Sequence, residues 1–100
     1  MASFAETVAA SRRTFMLRLL VTLGSSANES VIASATTQGG FGQATRDDIR
    51  KDLDLLKARG CTTEEWFDNV VRVVTITERG EDAAHGRIDV AGVERSTWRR

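Results

Sequence analysis

The residues best equipped to act on something outside the chain are its arginines. Twelve of the fourteen basic residues are Arg and two are Lys, and a guanidinium offers a fork of donors that matches phosphate oxygens and the guanine edge. The stretch Thr45-Arg-Asp-Asp-Ile-Arg-Lys-Asp-Leu-Asp-Leu-Leu-Lys-Ala-Arg-Gly60 is rich in them. A helix there turns Ile49, Leu53 and Leu56 inward and leaves Arg46, Arg50, Lys51 and Lys57 outward, with Arg46 and Arg50 on one face. Arg46 falls in the first turn, the end that meets base edges in a DNA-reading helix. The opposing reading is a solvated or protein-binding face of Asp–Arg pairs, which Asp47 and Asp54 support. Asp52 lies beside the buried stripe, where a structural role is expected: anchoring an Arg or capping a neighbouring helix.

The groups that catalysis or metal binding needs are scarce. His85 is the single histidine and Cys61 the single thiol, so one chain has no His/Cys set for zinc and no internal disulfide. His85 precedes Gly86 near a helix end, where a solvated or capping role is expected. Cys61 opens a strand at a position that an apolar core residue usually fills. The pairs Asp47-Asp48, Glu64-Glu65 and Glu81-Asp82 fall in capping, hairpin and helix positions, not in a shared cleft. The glycines of residues 38–43 lack the phosphate-loop spacing, and no Lys follows them. A binding protein with no cofactor, no metal and no enzymatic activity is the expectation.

Length and composition set the frame. One hundred residues suit one domain, too small for two cores and small enough that a homodimer is a reasonable expectation. With 41% hydrophobic and 28% charged residues the composition is that of an ordinary folded domain, and with 6% aromatics and no Tyr its core must be mostly aliphatic. Fourteen basic and fourteen acidic residues cancel, which argues against indiscriminate nucleic-acid binding. The apolar run of residues 15–23 is broken by Arg18 and too short to span a bilayer. The first residues lack a signal-peptide pattern, so the cytoplasm is the expected location, with no membrane partner.

Periodicity supplies the elements. Phe4, Val8, Phe15, Leu19 and Leu23, widened by Met16 and Leu20, predict a first helix over residues 3–23 with Gly24 as its stop. A break near Ala10-Ser11 and an unbroken helix are both compatible with the pattern. Asn28 caps a second helix with Val31, Ile32 and Ala35 on its apolar side, ended by the glycines at 39, 40 and 42. Thr45 and Asp48 form a capping-box pattern for the third helix, and Gly60 closes it. Residues 61–67 and 70–77 are rich in Thr, Val, Ile and aromatics and read as a β-hairpin turning at Asp68-Asn69. Residues 77–85 read as a short polar helix.

Helix, helix, helix, hairpin, helix is the order of a winged helix-turn-helix, a mainly α fold with a β-hairpin. The core Arg50-Lys-Asp52-Leu53, the closing Gly60 and the exit Thr75-Ile-Thr77-Glu-Arg-Gly80 resemble those of bacterial winged-helix regulators. Together with Asn28-Glu-Ser and the Gly-rich turn, the pattern over residues 11–95 resembles a family of small winged-helix proteins encoded by Mu-like transposable phages and prophages. The resemblance implies a DNA-binding protein, with double-stranded DNA as partner and transcriptional regulation as its role. The alternative is a winged-helix interaction module accessory to a phage assembly such as DNA packaging.

The remaining candidates lie outside the reading helix. Arg72 is expected on the wing, opposite Glu64 and Glu65, an acidic pair that is unusual on a DNA-tracking hairpin. Trp66 and Phe67 are expected to pack on the tail or a dimer mate, with a partner-binding patch as the alternative. Residues 1–86 form the expected domain and residues 87–100 a basic tail, mobile at its end. There Arg99 and Arg100 beside Trp98 either follow DNA or leave Trp98 to fold back on the hairpin or a partner subunit. Phe4 and Val8, with Val71 and Val73, are the surface expected to join a two-fold dimer, its reading helices about 34 Å apart.

Overall fold

The computed structural model describes residues 3–98. Its elements run α1 (Phe4–Thr22), β1 (Ser26–Asn28), α2 (Glu29–Gln38), α3 (Arg46–Ala58), β2 (Thr62–Phe67), β3 (Val71–Ile76) and α4 (Glu78–Ala84). Local chemistry starts every helix. Ser3, Asn28, Thr45 and Thr77 each accept the amide three residues on, from Glu6, Val31, Asp48 and Gly80. This satisfies a donor that the helix itself leaves unpaired. At α3 the Asp48 carboxylate in turn accepts from the Thr45 amide at 2.9 Å, completing the capping box. The backbone and hydroxyl of Thr45 hold the Asp48 carboxyl below its ordinary range. Among the described residues no helix is long and apolar enough to cross a membrane.

The sheet has three strands, not the two of a simple hairpin. β2 and β3 pair from Thr62↔Ile76 to Phe67↔Val71. Their turn holds Asp68 at φ 53° and Asn69 at φ 56°, left-handed values that Asp and Asn tolerate better than most side chains. β1 adds to the other side of β3 through Ser26↔Thr75, Ala27↔Val74 and Asn28↔Val73, giving the antiparallel order β1-β3-β2. Ser-Ala-Asn has no strand propensity of its own. The pairing makes it a strand, helped by the Ser26 and Thr75 hydroxyls 2.6 Å apart.

The helix α1 is unbroken through Ala10 and Ser11, but its inward face differs from the apolar stripe expected of it. Met16, Leu17 and Leu20 are fully buried, whereas Phe4 is 85% and Leu23 44% exposed. The face is rotated because a charged residue belongs to it. Arg12 is buried and donates through Nε and Nη2 to Asp52 of α3, while the Arg13 Nε reaches the same carboxylate at 3.0 Å. A stripe counted on apolar residues alone cannot include Arg12. Asp52 thus has the structural, Arg-anchoring role expected of it.

Beside this clamp the core is aliphatic. Ile32, Ile49, Leu53, Leu56 and Val74 join Met16, Leu17 and Leu20 with no exposure, and Cys61 is buried among them. Burial pushes the Cys61 thiol upward. A β-carbon at Gly80 would collide with the Cys61 carbonyl, so the glycine of Thr77-Glu-Arg-Gly80 lets α4 cross the start of β2 closely.

The segment after α4 is packed as far as Trp98. Glu94 receives Thr14 through its carbonyl and donates its amide to the Ala10 carbonyl at 3.2 Å. Arg18 donates to the Ser96 hydroxyl at 2.9 and 3.1 Å. Trp98 stacks on His85, the C-cap of α4, with centroids 5.0 Å apart and rings 2° from parallel. The expectation of mobility is therefore corrected for residues 95–98, which lie along α1 and the end of α4. Arg99 and Arg100 lie outside the described residues.

Asp52→Ala leaves two guanidiniums, one of them buried, without their shared carboxylate. Loss of one partner from such a pair destabilises by about 3–5 kcal/mol. Urea unfolding followed by circular dichroism is expected to show a loss of that size, and an unchanged midpoint would remove the clamp from the account.

Candidate nucleic-acid interface

The expected reading face forms where the start of α3 crosses the start of α2. Glu29 is the first residue of α2, directly after its Asn28 cap, and its side chain is 10% exposed beneath α3. One oxygen, Oε2, accepts the Arg46 Nε at 2.9 Å and the Arg50 Nε at 3.2 Å. Arg46 also donates through Nη2 to the Ser30 hydroxyl at 3.1 Å. The two guanidiniums nevertheless stay at the surface, with side chains 44% and 56% exposed. Burial alone would raise the Glu29 carboxyl, but hydrogen bonds and charge from Arg46 and Arg50 outweigh it and hold the group below its ordinary range.

The other two helix cations are also outward and also paired. Lys51 lies 3.1 Å from Asp47, one turn earlier on the helix, and this contact raises its pKa. Lys57 lies 3.5 Å from Glu64 of β2. All four are outward, as their spacing predicts, with Arg46, Arg50 and Lys57 on the flank toward α2 and β2 and Lys51 on the flank toward α1.

Arg72 does not lie at the surface of the hairpin. Along β3 the residues alternate, and Arg72, Val74 and Ile76 share the buried side, as the two-residue period of a strand requires. Only 5% of the Arg72 side chain is exposed. Its Nε donates to Glu64 at 2.8 Å, Nη2 reaches Asp54 of α3, and Nη1 lies 3.5 Å from Glu29. The guanidinium also sits 5.6 Å from the Trp66 ring centroid. Burial works against the charge, yet the bonds from Glu64 and Asp54 outweigh it and hold the pKa above the ordinary Arg value. Arg72 is thus corrected from a phosphate contact to a buried tie between β3, α2 and α3. The same alternation splits the Glu64-Glu65 pair, since Glu64 turns inward to Arg72 while Glu65 faces solvent.

Glu29 is the residue that sequence reasoning missed. Its visible signal is an acidic side chain in the first turn of a helix, where the helix dipole already favours one. Its position beneath Arg46 and Arg50 follows only from the way α2 and α3 cross. Trp66 and Phe67 remain 52% exposed at the hairpin. Among the described residues no group of three or more His, Cys, Asp and Glu side chains is arranged to hold a metal ion.

Over 84 residues the chain is 38% identical to the uncharacterized protein gp26 of Escherichia phage Mu, a match that covers 84% of this chain and 85% of that protein. The kinship with a Mu protein agrees with the resemblance to proteins of Mu-like phages. No family model matches the chain, and no solved structure matches it.

The depressed Glu29 carboxyl ties this face to pH. A group whose folded pKa lies below its ordinary value of 4.5 contributes stability that is present above that value. The contribution is lost as pH falls through the lower folded value. Glu29→Gln is expected to lower the melting temperature at neutral pH and to flatten its decline between about pH 5 and pH 3. Parallel melting curves for parent and variant across that range would show that Glu29 is not coupled to its arginines.

Proposed function

The chain belongs to the family of gp26 of Escherichia phage Mu, and on that footing we propose that it is a phage-encoded winged-helix protein that binds double-stranded DNA through α3, as a transcriptional regulator. The order helix-strand-helix-helix-hairpin-helix, with residues 39–45 and their glycines joining α2 to α3, supports the winged-helix part of this reading. One observation carries the reading: a nearly buried carboxylate, Glu29, grips two guanidiniums by their Nε edge while both remain substantially exposed. A guanidinium has five donors, and these bonds leave most of them for phosphate oxygens or a guanine edge. Holding the forks in place before binding reduces the ordering that binding itself requires.

A formally neutral chain has little general attraction for DNA, so useful affinity needs local geometry and more than one contact region. We propose a two-fold dimer that doubles the face. Phe4, 85% exposed, projects beside a groove of about 820 Å³ lined in part by Val8, Ala9, Phe41 and Ala44. A knob next to a hole on one surface is self-complementary under a two-fold axis. One specific observation favours a second reading, in which α3 meets a protein. All four outward cations of α3 have a carboxylate within 3.5 Å, as on a surface that is neutral overall.

Arg46→Ala and Arg50→Ala are each expected to weaken binding to a duplex selected from a randomised pool, by about 1–3 kcal/mol where the contact is bidentate to a base. Parent affinity should fall steeply with salt, and selected sites should carry half-sites about 34 Å apart. A double variant that binds its selected duplex as tightly as the parent would overturn α3 as the reader. A pool that yields no binding duplex would favour the protein-partner reading.

A further inference from the structure

We propose that the hairpin tip and the free edge of β2 form a docking surface for an extended basic segment of a partner protein, separate from the α3 face. Four of the exposed large apolar side chains lie there: Trp66 and Phe67 at 52%, Val70 at 76% and Val71 at 44%. A cluster of this kind at the end of a rigid hairpin marks an interaction site more often than scattered single residues do. The tip is fixed in shape. The Val70 amide donates to the Phe67 carbonyl at 3.0 Å, and the Trp66 indole nitrogen lies 3.4 Å from Glu64, which Arg72 holds in turn.

Charge selects the partner. Residues 62–71 contain Glu64, Glu65 and Asp68 and no cation. The nearest guanidinium on the hairpin, Arg72, is buried and taken up by Glu64, Asp54 and Glu29. An apolar tip whose exposed charges are Glu65 and Asp68 repels phosphate and attracts cationic side chains.

The backbone supplies the mode of attachment. β2 is an edge strand, paired with β3 on one side only. It has no Pro and its six-residue register is unbroken, and the charges that guard its edge, Glu64 and Glu65, are acidic, so they oppose acidic or like strands and not a basic one. A second copy is a poor occupant. Antiparallel pairing of β2 with itself in any near-complete register sets a Glu opposite a Glu, which is destabilising. An added strand from another protein avoids this. Thr63, Glu65 and Phe67 share the exposed side of β2 and Trp66 faces the other way, beside Arg72, so a fitting segment alternates, with a Lys or Arg against Glu65 and an apolar residue on its opposite face against Trp66.

The test uses the full chain, isotopically labelled, and the synthetic peptide Lys-Val-Lys-Val-Lys-Val. Its controls are Glu-Val-Glu-Val-Glu-Val and a blocked Lys-Lys-Lys-Val-Val-Val. Amide shifts confined to residues 62–71 are expected with the alternating basic peptide, with binding at least about tenfold weaker for both controls. Glu65→Lys with Asp68→Asn, both exposed, should abolish the shifts while the melting temperature and the effect of Arg46→Ala on DNA binding stay unchanged. Equal binding of the acidic control, or shifts centred on α1 or α3, would overturn the proposal. So would concentration-dependent shifts of β2 without peptide, which would identify a second copy as the occupant. Loss of DNA affinity in Phe67→Ser at unchanged melting temperature would assign the tip to DNA.

Discussion

A guanidinium withdrawn from water must be surrounded by acceptors, and Arg72 is surrounded by three carboxylates from three different elements. Glu64 lies on β2, Asp54 on α3 and Glu29 on α2. None of these elements can shift without taking an acceptor from a guanidinium that is itself withdrawn from water, and loss of a partner from such a buried charge is strongly destabilising. The hairpin, the helix pair and their crossing are therefore fixed by one side chain. Glu29 then transmits that order outward, because the carboxylate that faces Arg72 also holds Arg46 and Arg50 at the surface. On the other side of α3, Asp52 performs the matching task for α1 through Arg12 and Arg13. α3 is thus held along its length by carboxylate–guanidinium contacts on two sides, with its aliphatic stripe between them.

This arrangement accounts for an unusual composition. The chain has equal numbers of basic and acidic residues and uses Arg for nearly every cation. Much of that charge is internal wiring: Arg12, Arg72, Glu29, Glu64 and Asp52 are all buried or nearly so at the side chain. Arg suits such work because its planar fork meets carboxylates at two points and does not lose its proton. Net charge is consequently a poor guide to the surface. Two surface regions differ in balance: on α3 four cations stand beside carboxylates, and at the hairpin tip Glu65 and Asp68 have no cation paired with them among the described residues. One face suits an anionic ligand whose phosphates displace weak surface pairs, and the other suits a basic one.

Features set by neighbouring residues were legible in the sequence. Asn28 and Thr45 announce their helices because a cap acts over three residues. The turn at Asp68-Asn69 is readable because few residue types accept left-handed backbone. The outward placement of Arg46, Arg50, Lys51 and Lys57 follows from helical period and the stripe of Ile49, Leu53 and Leu56. What was not legible depends on distant partners. β1 exists because β3 offers it an edge. The inward face of α1 includes Arg12 because Asp52, forty positions away, neutralises it. Arg72 turns inward although an arginine on a hairpin ordinarily seeks solvent, because three carboxylates reach it from separate elements. Residues 95–98 resemble a mobile tail until Ser96 meets Arg18 and Trp98 meets His85.

The central claim is that Glu29 prepares Arg46 and Arg50 for DNA, and it makes an unusual demand on the sign of one effect. Glu29→Gln removes a negative charge from beneath the proposed interface, so simple electrostatics predicts tighter binding to a polyanion. If the carboxylate's role is to orient the two forks, the variant binds its selected duplex more weakly despite the gain in positive charge. The decisive measurement is the affinity of parent and Glu29→Gln for that duplex, by fluorescence anisotropy at matched salt and at a temperature where both are folded. Weaker binding by the variant is the predicted result, and equal or tighter binding would contradict the account.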